Sequence, residues 1–336
     1  MDTPTQIFTP PYPPSWIDRL LDWIERLPIP SWLFNLLLAP IGILGVNVLY
    51  WITGAEPVGS WAITAYGFVF IPLNLLAGGY LRQLAAHSMD QFSPALANSP
   101  KEFARLKYSF TIIPQRRALI ITAIVALPLN VIWLYFLKFP IVYGLFSALG
   151  YSLGGCLFFQ VARQLRMIGR LHALAKHVSL FDLDPLYAFS RLTARIGFLI
   201  LLVVYLSTAL ALIIRPDNPE LVYSNLAAIP FAVMCFILPL NGMHQRLAKE
   251  KTDLLAKINR QLETTLTELN RVIETGELER VDLLNRTTTS LINERDIVHK
   301  ISTWPWQAAT FRGFATTLLL PIFIWLITRL LTRFGI

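Results

Sequence analysis

The polar residues that could do chemistry in this sequence are few, and the most regular of them are asparagines that follow prolines. The tripeptide Pro-Leu-Asn occurs three times inside apolar segments and ends at Asn74, Asn130 and Asn241. A proline inside a helix leaves one backbone carbonyl without its hydrogen bond, and in lipid that carbonyl needs another donor. An asparagine amide on the same or a neighbouring helix supplies one. The pattern therefore predicts either one polar site shared by three helices or three separate interhelical contacts.

Groups that could catalyse a reaction or bind a metal are widely scattered. His172 and His177 lie on one predicted helix but about 140° apart around it, which is a poor geometry for sharing a metal. Asp182 and Asp184 precede a proline, where carboxylates are typical of a turn or a helix cap. The sequence contains no Walker A loop, Rossmann glycine fingerprint, His-Glu-x-x-His motif or Gly-x-Ser-x-Gly motif. We therefore predict no catalytic residue, no cofactor site and no metal site.

A second group of residues points to a mechanical role. Trp304, Pro305 and Trp306 lie between a polar helical region and the last apolar segment. Tryptophan anchors membrane proteins at the level of the lipid headgroups, and a proline interrupts the helix. The pattern predicts an anchored bend. The alternative is a hinge that couples movement of the polar helices to the last segment.

The composition is typical of a membrane protein. The chain has 336 residues, of which 54% are hydrophobic and 15% charged, and its mean hydropathy is +0.52. Soluble domains carry roughly 25% charged residues, so a water-facing surface is hard to build here. The net charge of +8 does not indicate a nucleic-acid partner, because Lys and Arg fall between the apolar segments, as membrane topology requires. Cys156 and Cys235 both lie inside apolar segments, so no disulfide framework is expected.

The apolar segments predict an all-α, polytopic membrane helix bundle with about seven transmembrane helices, since a span needs about 20 residues. Six charge-free segments reach that length: Trp32 to Thr53, Trp61 to Leu81, Ala118 to Leu137, Ile141 to Phe159, Ile196 to Ile214 and Leu221 to Leu240. The seventh, Phe314 to Ile327, is short. It spans only if Arg312 and Arg329 extend to the two interfaces, and the alternative is an interfacial helix.

The distribution of Lys and Arg orients these segments. Basic residues concentrate in the loops 82–117, 160–195 and 246–312, whereas the connections 54–60, 138–140 and 215–220 carry few. Because basic loops stay in the cytoplasm, the N-terminus is predicted to be cytoplasmic. Seven crossings would place the C-terminus outside, and we expect the bilayer to be the plasma (cytoplasmic) membrane.

Four regions follow from this layout. Residues 1–30 form a Pro-rich segment and a short amphipathic helix, which lies either in the membrane interface or against the protein's own cytoplasmic surface. Residues 31–243 form the six-span bundle with its basic loops. Residues 244–302 form a cytoplasmic antiparallel helical hairpin that turns at Gly276. Residues 303–336 form the final transmembrane or interfacial helix.

The two helices of the hairpin each carry one apolar stripe. The first stripe is predicted to comprise Leu255, Ile258, Leu262, Leu266, Leu269 and Ile273. The second is predicted to comprise Val281, Leu284, Thr288, Leu291, Arg295 and Val298. A single stripe must be buried, so the helices pack either on each other or against a second subunit.

The absence of charge from the six spans narrows the function. Transporters coupled to ions, and voltage sensors, hold ionisable residues near the membrane midplane. We therefore expect a non-enzymatic oligomeric channel or ligand-sensor subunit, with the bilayer and further copies of the chain as partners. The alternative is a membrane scaffold or signalling protein whose hairpin docks a cytoplasmic protein. A lipid-acting membrane enzyme ranks third, because only His172, His177, Asp182 and Asp184 would serve it.

The orientation is testable by cysteine labelling. Cysteines introduced at Glu263 and Arg286 should resist an impermeant thiol reagent in intact cells and react after permeabilisation, because both positions lie in the predicted cytoplasmic hairpin. Labelling of both cysteines in intact cells would contradict the orientation.

The last crossing is testable with a reporter at the C-terminus. A reporter that is active only outside the cell should give a signal. A signal from a cytoplasmic reporter alone would leave six spans.

Overall fold

The structure, a computed structural model, describes residues 9–53, 61–96, 99–132, 135, 141–175, 180, 184–214, 228–276 and 278–319. Every regular element in these ranges is a helix, which confirms the all-α class. The three connections predicted to face outside (54–60, 138–140 and 215–220) and residues 320–336 of the final segment lie outside the described ranges.

The helices follow one another in chain order. They are α1 (Trp16–Glu25), α2 (Ser31–Thr53), α3 (Trp61–Phe92), a 3-10 turn (Ser93–Ala95), α4 (Pro100–Thr111), α5 (Gln115–Val131), α6 (Ile141–Leu174), α7 (Asp184–Ile214), α8 (Ala228–Thr275) and α9 (Leu278–Lys300). A further helix, α10, is described over 308–319.

Helix α1 packs on the protein itself. Ser15 and Asp18 form a capping box that starts the helix. Ile17, Leu21 and Ile24 on its apolar face are buried against α3, α5 and α6. This contact corresponds to the second of the two placements considered above, a helix against the protein's own surface.

Three buried clusters hold the helices together. The largest lies where α3, α4, α6, α7 and α8 converge and includes Phe92 and Phe189. The second lies beneath α1 and includes Ile24. The third joins α7 and α8 to α10 through Phe236 and Phe314. Helices α3, α6, α7 and α8 each contribute to more than one cluster, so the helices that supply these clusters form one connected core.

One segment within the described ranges is both long enough and apolar enough to cross a membrane. It is Asp184–Leu206 in α7, with a mean hydropathy of 1.8, and 44% of its most apolar window is buried inside the protein. Ser31–Gly45 in α2 is a shorter apolar helix. The other crossings stay a prediction.

Helix α8 runs without interruption from the predicted sixth span to the tip of the hairpin, although Pro239 lies within it. The hairpin turns at Gly276, whose φ of 79° is one that glycine adopts without strain. Antiparallel packing of α8 on α9 buries Ile258, Val272 and Val298.

The first stripe of the hairpin differs from its prediction at two positions. Leu266 is 38% exposed and Ile273 is 57% exposed, whereas Val272 is fully buried. After Leu262 the next side chain turned away from solvent is the half-buried Thr265, three residues on, whereas the prediction placed it four residues on, at Leu266. Both spacings are compatible with a helix. Contact with α9 selects the spacing of three, because it places Val272 in the interface between α8 and α9.

Two cationic side chains of α8 hold the ends of neighbouring helices. Arg246 donates to the carbonyl oxygens of His172 (3.3 Å) and Ala175 (2.7 Å), where α6 ends. Lys251 donates to those of His299 (2.7 Å) and Ile301 (2.8 Å), where α9 ends. The last carbonyls of a helix have no intrahelical partner and carry partial negative charge. Helix α8 therefore supplies hydrogen-bond donors to the terminal carbonyls of both α6 and α9.

His172 is buried in the largest cluster, where its ring packs edge-on against Phe92 and Phe189. Neither ring nitrogen has a hydrogen-bond partner among the described residues. Burial lowers the pKa of His172 to about 4, because a charged imidazolium is costly in an apolar site. The backbone of Pro239 favours the charged ring and opposes this only in part.

This burial predicts a pH-dependent stability. The unfolded chain binds a proton at His172 near the ordinary pKa of 6.5, whereas the folded protein does so only near pH 4. The contribution of His172 to the free energy of unfolding is therefore fully present above pH 6.5 and is lost as the pH falls towards 4. We expect a loss of up to about 3 kcal/mol for this residue, measured by thermal unfolding in one detergent across that range. His172→Leu should flatten the profile and the exposed His299→Gln should not. Equal profiles for both variants would contradict this prediction.

Candidate functional site

Asn74 lies at the contact between α3 and α6. Its Nδ2 donates to the carbonyl oxygen of Phe70 (2.7 Å) in its own helix, two residues after the buried Pro72. A Cβ placed on Gly154 of α6 would lie 3.6 Å from Asn74 Oδ1, so the two helices approach closely here. Asn74 therefore donates a hydrogen bond to a carbonyl of its own helix and also faces α6.

The other two asparagines lie elsewhere. Asn241 is exposed on α8, two residues after the buried Pro239. The side chain of Asn130, at the end of α5, is outside the described part of the chain. No hydrogen bond joins Asn74 to Asn241 in the part of the chain that the structure describes. A polar site shared by all three stays a prediction.

The break between α4 and α5 is a polar region inside the described part of the protein. Ile112 is extended and Pro114 has no N–H to donate, so the carbonyls of residues 110–112 lack the usual helical partners. Three side chains of α6 supply those partners. Gln164 donates to residue 110 (3.4 Å), Gln160 to residue 111 (2.6 Å) and Arg163 to residue 112 (2.5 Å).

The Pro-rich segment before α1 binds to the same break. The hydroxyl of Tyr12 donates to the carbonyl of Ile112 (3.0 Å), and the hydroxyl of Tyr108 donates to the carbonyl of Tyr12 (2.9 Å). Pro14 and Pro114 pair as an isolated antiparallel bridge. The N-terminal segment is thus fixed to the start of α5 by backbone carbonyls rather than by apolar contact alone.

Asp18 of α1 completes this junction. It is only 2% exposed, and its Oδ2 accepts from the Ser15 hydroxyl (2.5 Å) and from the N–H of Ile113 (3.0 Å). Burial raises the pKa of Asp18, and these hydrogen bonds and the charge of Arg82 oppose the rise. The Ser-x-x-Asp spacing was the available signal, because it predicts a capping aspartate that faces back towards the chain.

Arg82 joins α3 to the polar face of α1. Its guanidinium forms ion pairs with Asp22 (2.6 Å) and Glu25 (2.8 Å) and donates to the carbonyl of Asp18 (3.4 Å). Sequence reasoning assigned Arg82 only to a basic loop. Nothing in the sequence alone pairs residues that are about 60 positions apart, because such a pairing depends on the packing of α1.

Trp304 and Trp306 belong to a stack of aromatic rings. His244 of α8 stacks on Trp304 (ring centroids 3.9 Å apart, 4° between planes), and Trp304 stacks on Trp306 (4.2 Å, 14°). Trp306 in turn stacks on Phe236 of α8 (5.4 Å) and on Phe311 of α10 (5.5 Å). We call this set the aromatic stack.

The aromatic stack links α8 to the segment that leads into α10. Pro305, which lies between the two tryptophans in the sequence, is buried. The Nδ1–H of His244 donates to the carbonyl of Thr303 (3.2 Å). Beyond the stack, Phe314 of α10 fits against α7 at Gly197, where a Cβ would lie only 2.7 Å from its ring. All three residues of the predicted hinge therefore lie at one contact, and their movement stays a prediction.

Within the described ranges, no group of three or more His, Cys, Asp or Glu side chains is placed to hold a metal ion. Of the residues considered for a lipid-acting enzyme, His172 is buried and Asp184 is exposed, and His177 and Asp182 lie outside those ranges. No protein-family model, curated protein or solved structure matches this chain.

The role of Asp18 is testable by substitution. Asp18→Ala should lower the free energy of unfolding by about 1–3 kcal/mol, because the Ser15 hydroxyl and the Ile113 N–H lose their acceptor. Asp18→Asn keeps an acceptor oxygen and should cost less. The control is Asp282→Ala, which removes an exposed ion pair with Arg286 and should change stability by less than about 0.5 kcal/mol. Equal effects of Asp18→Ala and Asp282→Ala in detergent unfolding would contradict the assignment.

Proposed function

We propose that the protein is a seven-span membrane protein with a cytoplasmic N-terminus, and that it works as a subunit of an oligomeric channel or ligand sensor controlled through the α8–α9 hairpin. The observation that carries the proposal is the aromatic stack, which joins the base of the hairpin to α10. A change in the hairpin would reach the last helix through these rings.

The exposed surface supports embedding in a bilayer. Exposed apolar side chains recur along α2 between Trp32 and Ile52, including Trp51 at 84%. Others recur along α5 between Leu119 and Val131. Contiguous apolar faces of this length are rare on soluble monomers, and lipid would cover them without cost.

The continuity of α8 supports control through the hairpin. One helix passes from the apolar bundle to the hairpin tip, and Arg246 and Lys251 fasten the ends of α6 and α9 to it. Phe236 and His244, one on each side of Pro239, both contact the aromatic stack. A bend at Pro239 would therefore change the stacking of Trp304 and Trp306.

The proposal is testable by ion flux in liposomes that contain the purified full-length protein. We expect K⁺ or Cl⁻ flux above that of empty liposomes. Trp306→Ala should change the flux at least about tenfold, because each aromatic pair is worth about 0.5–1.5 kcal/mol and three pairs would be lost. Trp32→Ala removes a tryptophan that is 59% exposed on α2 and serves as the control. Equal flux for the two variants would contradict control through the stack.

The second candidate is a scaffold whose hairpin docks a cytoplasmic protein. Leu266 and Ile273 on α8 and Ile292 on α9 are exposed, so the hairpin keeps apolar side chains that the described residues cover only in part. A scaffold requires no pore and no oligomer. A protein that is monomeric in detergent and conducts no ions in liposomes would favour the scaffold and contradict the channel.

A further inference from the structure

A small cavity lies where the buried face of α1 meets α3 and α6. Its volume is about 20 Å³, and a single water molecule needs about 10–15 Å³ on the same measure. Most of its wall is apolar. Four polar side chains also line it: Asp18, Asn74, Arg82 and Gln160.

Gln160 is the first polar group that points to an occupant. Its side chain is 6% exposed, and its Nε2 donates to the carbonyl of Thr111 (2.6 Å), which fixes the nitrogen on that side. Its Oε1 is buried and has no hydrogen-bond partner in the described part of the protein. A buried amide oxygen without a partner costs about 1–3 kcal/mol.

Asn74 and Asp18 present further acceptors on the same wall. The Nδ2 of Asn74 donates to the carbonyl of Phe70, which leaves its Oδ1 as an acceptor. The hydrogen bonds to the Asp18 carboxylate all converge on Oδ2, which leaves Oδ1 as a second acceptor. Arg82, whose side chain is a cationic hydrogen-bond donor, also lines the cavity.

We propose that the cavity binds one water molecule, which donates to Gln160 Oε1 and to an oxygen of Asn74 or Asp18, and which thereby links α1 to α3 and α6. A water molecule satisfies two to four polar partners, as this wall offers. A bare divalent cation would need about six oxygen ligands, and the charge of Arg82 would repel it.

The direct test is a structure of the full-length protein in lipid nanodiscs at a resolution that shows ordered water. We expect a density peak within about 2.6–3.2 Å of Gln160 Oε1 and of a second polar atom of the cavity wall. The absence of a peak there, in a map that shows ordered water elsewhere in the interior, would overturn the proposal.

Gly78 offers an independent test, because it lines the cavity and an added Cβ would make only ordinary contact with Leu21 (3.6 Å). In Gly78→Ala a methyl group enters the cavity beside Leu21 and leaves too little room for the water, so that Gln160 Oε1 has no partner. In Gly78→Ser the added side chain carries a hydroxyl that can donate a hydrogen bond in the cavity in the water's stead. Intrinsic helix propensity favours alanine over serine, so it opposes the difference that we expect.

Cys156 reports the outcome, because it is buried and lines the same cavity. In a Cys235→Ala background, a small thiol reagent should modify Cys156 about fivefold faster in Gly78→Ala than in Gly78→Ser, since the unpartnered oxygen favours release of α1. The same pair of substitutions at Gly169, which has open space around it, should leave the rate unchanged. A slower rate in Gly78→Ala than in both Gly78→Ser and the unsubstituted protein would indicate a dry cavity that a methyl group fills, and would overturn the proposal.

Discussion

The packing of this protein depends on the backbone carbonyls that its helices leave unpaired where they end. Helix α4 ends before Pro114, α6 ends at Leu174 and α9 ends at Lys300. The carbonyls at each end are bonded by side chains of another helix: Gln160 and Arg163 for α4, Arg246 for α6, and Lys251 for α9. A buried carbonyl without a donor costs about 1–3 kcal/mol, so each of these contacts fixes both the end of one helix and the position of the next.

Two helices supply all of these donors, and they are the longest two in the described chain, α6 and α8. Each carries its polar side chains beyond the apolar segment that was predicted to span. Gln160 follows the predicted fourth span, and Arg246 follows the predicted sixth. The same residues therefore end the apolar segments and hold the helices that surround them, which explains why the uncharged bundle still has a specific arrangement.

The sequence predicted what depends on local pattern. The helical class and the turn at Gly276 follow from apolar spacing and from one glycine, and the structure contains both. The buried position of Asp18 and its bond to Ile113 were missed, because they require knowledge of which helix covers α1. Leu266 and Ile273 were misassigned because two helical spacings fit equally well until α9 is placed. Of the candidate sites, the grouping of Trp304 with Trp306 was visible in the sequence, whereas His244 and Phe236 were not, since they join the stack from a distant part of the chain.

The length of α8 gives the hairpin a mechanical advantage. With 48 residues the helix is about 72 Å long, and the part beyond Pro239 extends about 54 Å. Tilting that part by about 5° would displace the tip at Gly276 by about 5 Å, close to the rise of one helical turn. Conversely, a load applied at the tip would act on the turn that contains Pro239 through a long lever arm, so a small force at the tip would exert a large torque at the base. Because of this length, a weak contact at the tip of the hairpin would produce strain at its base.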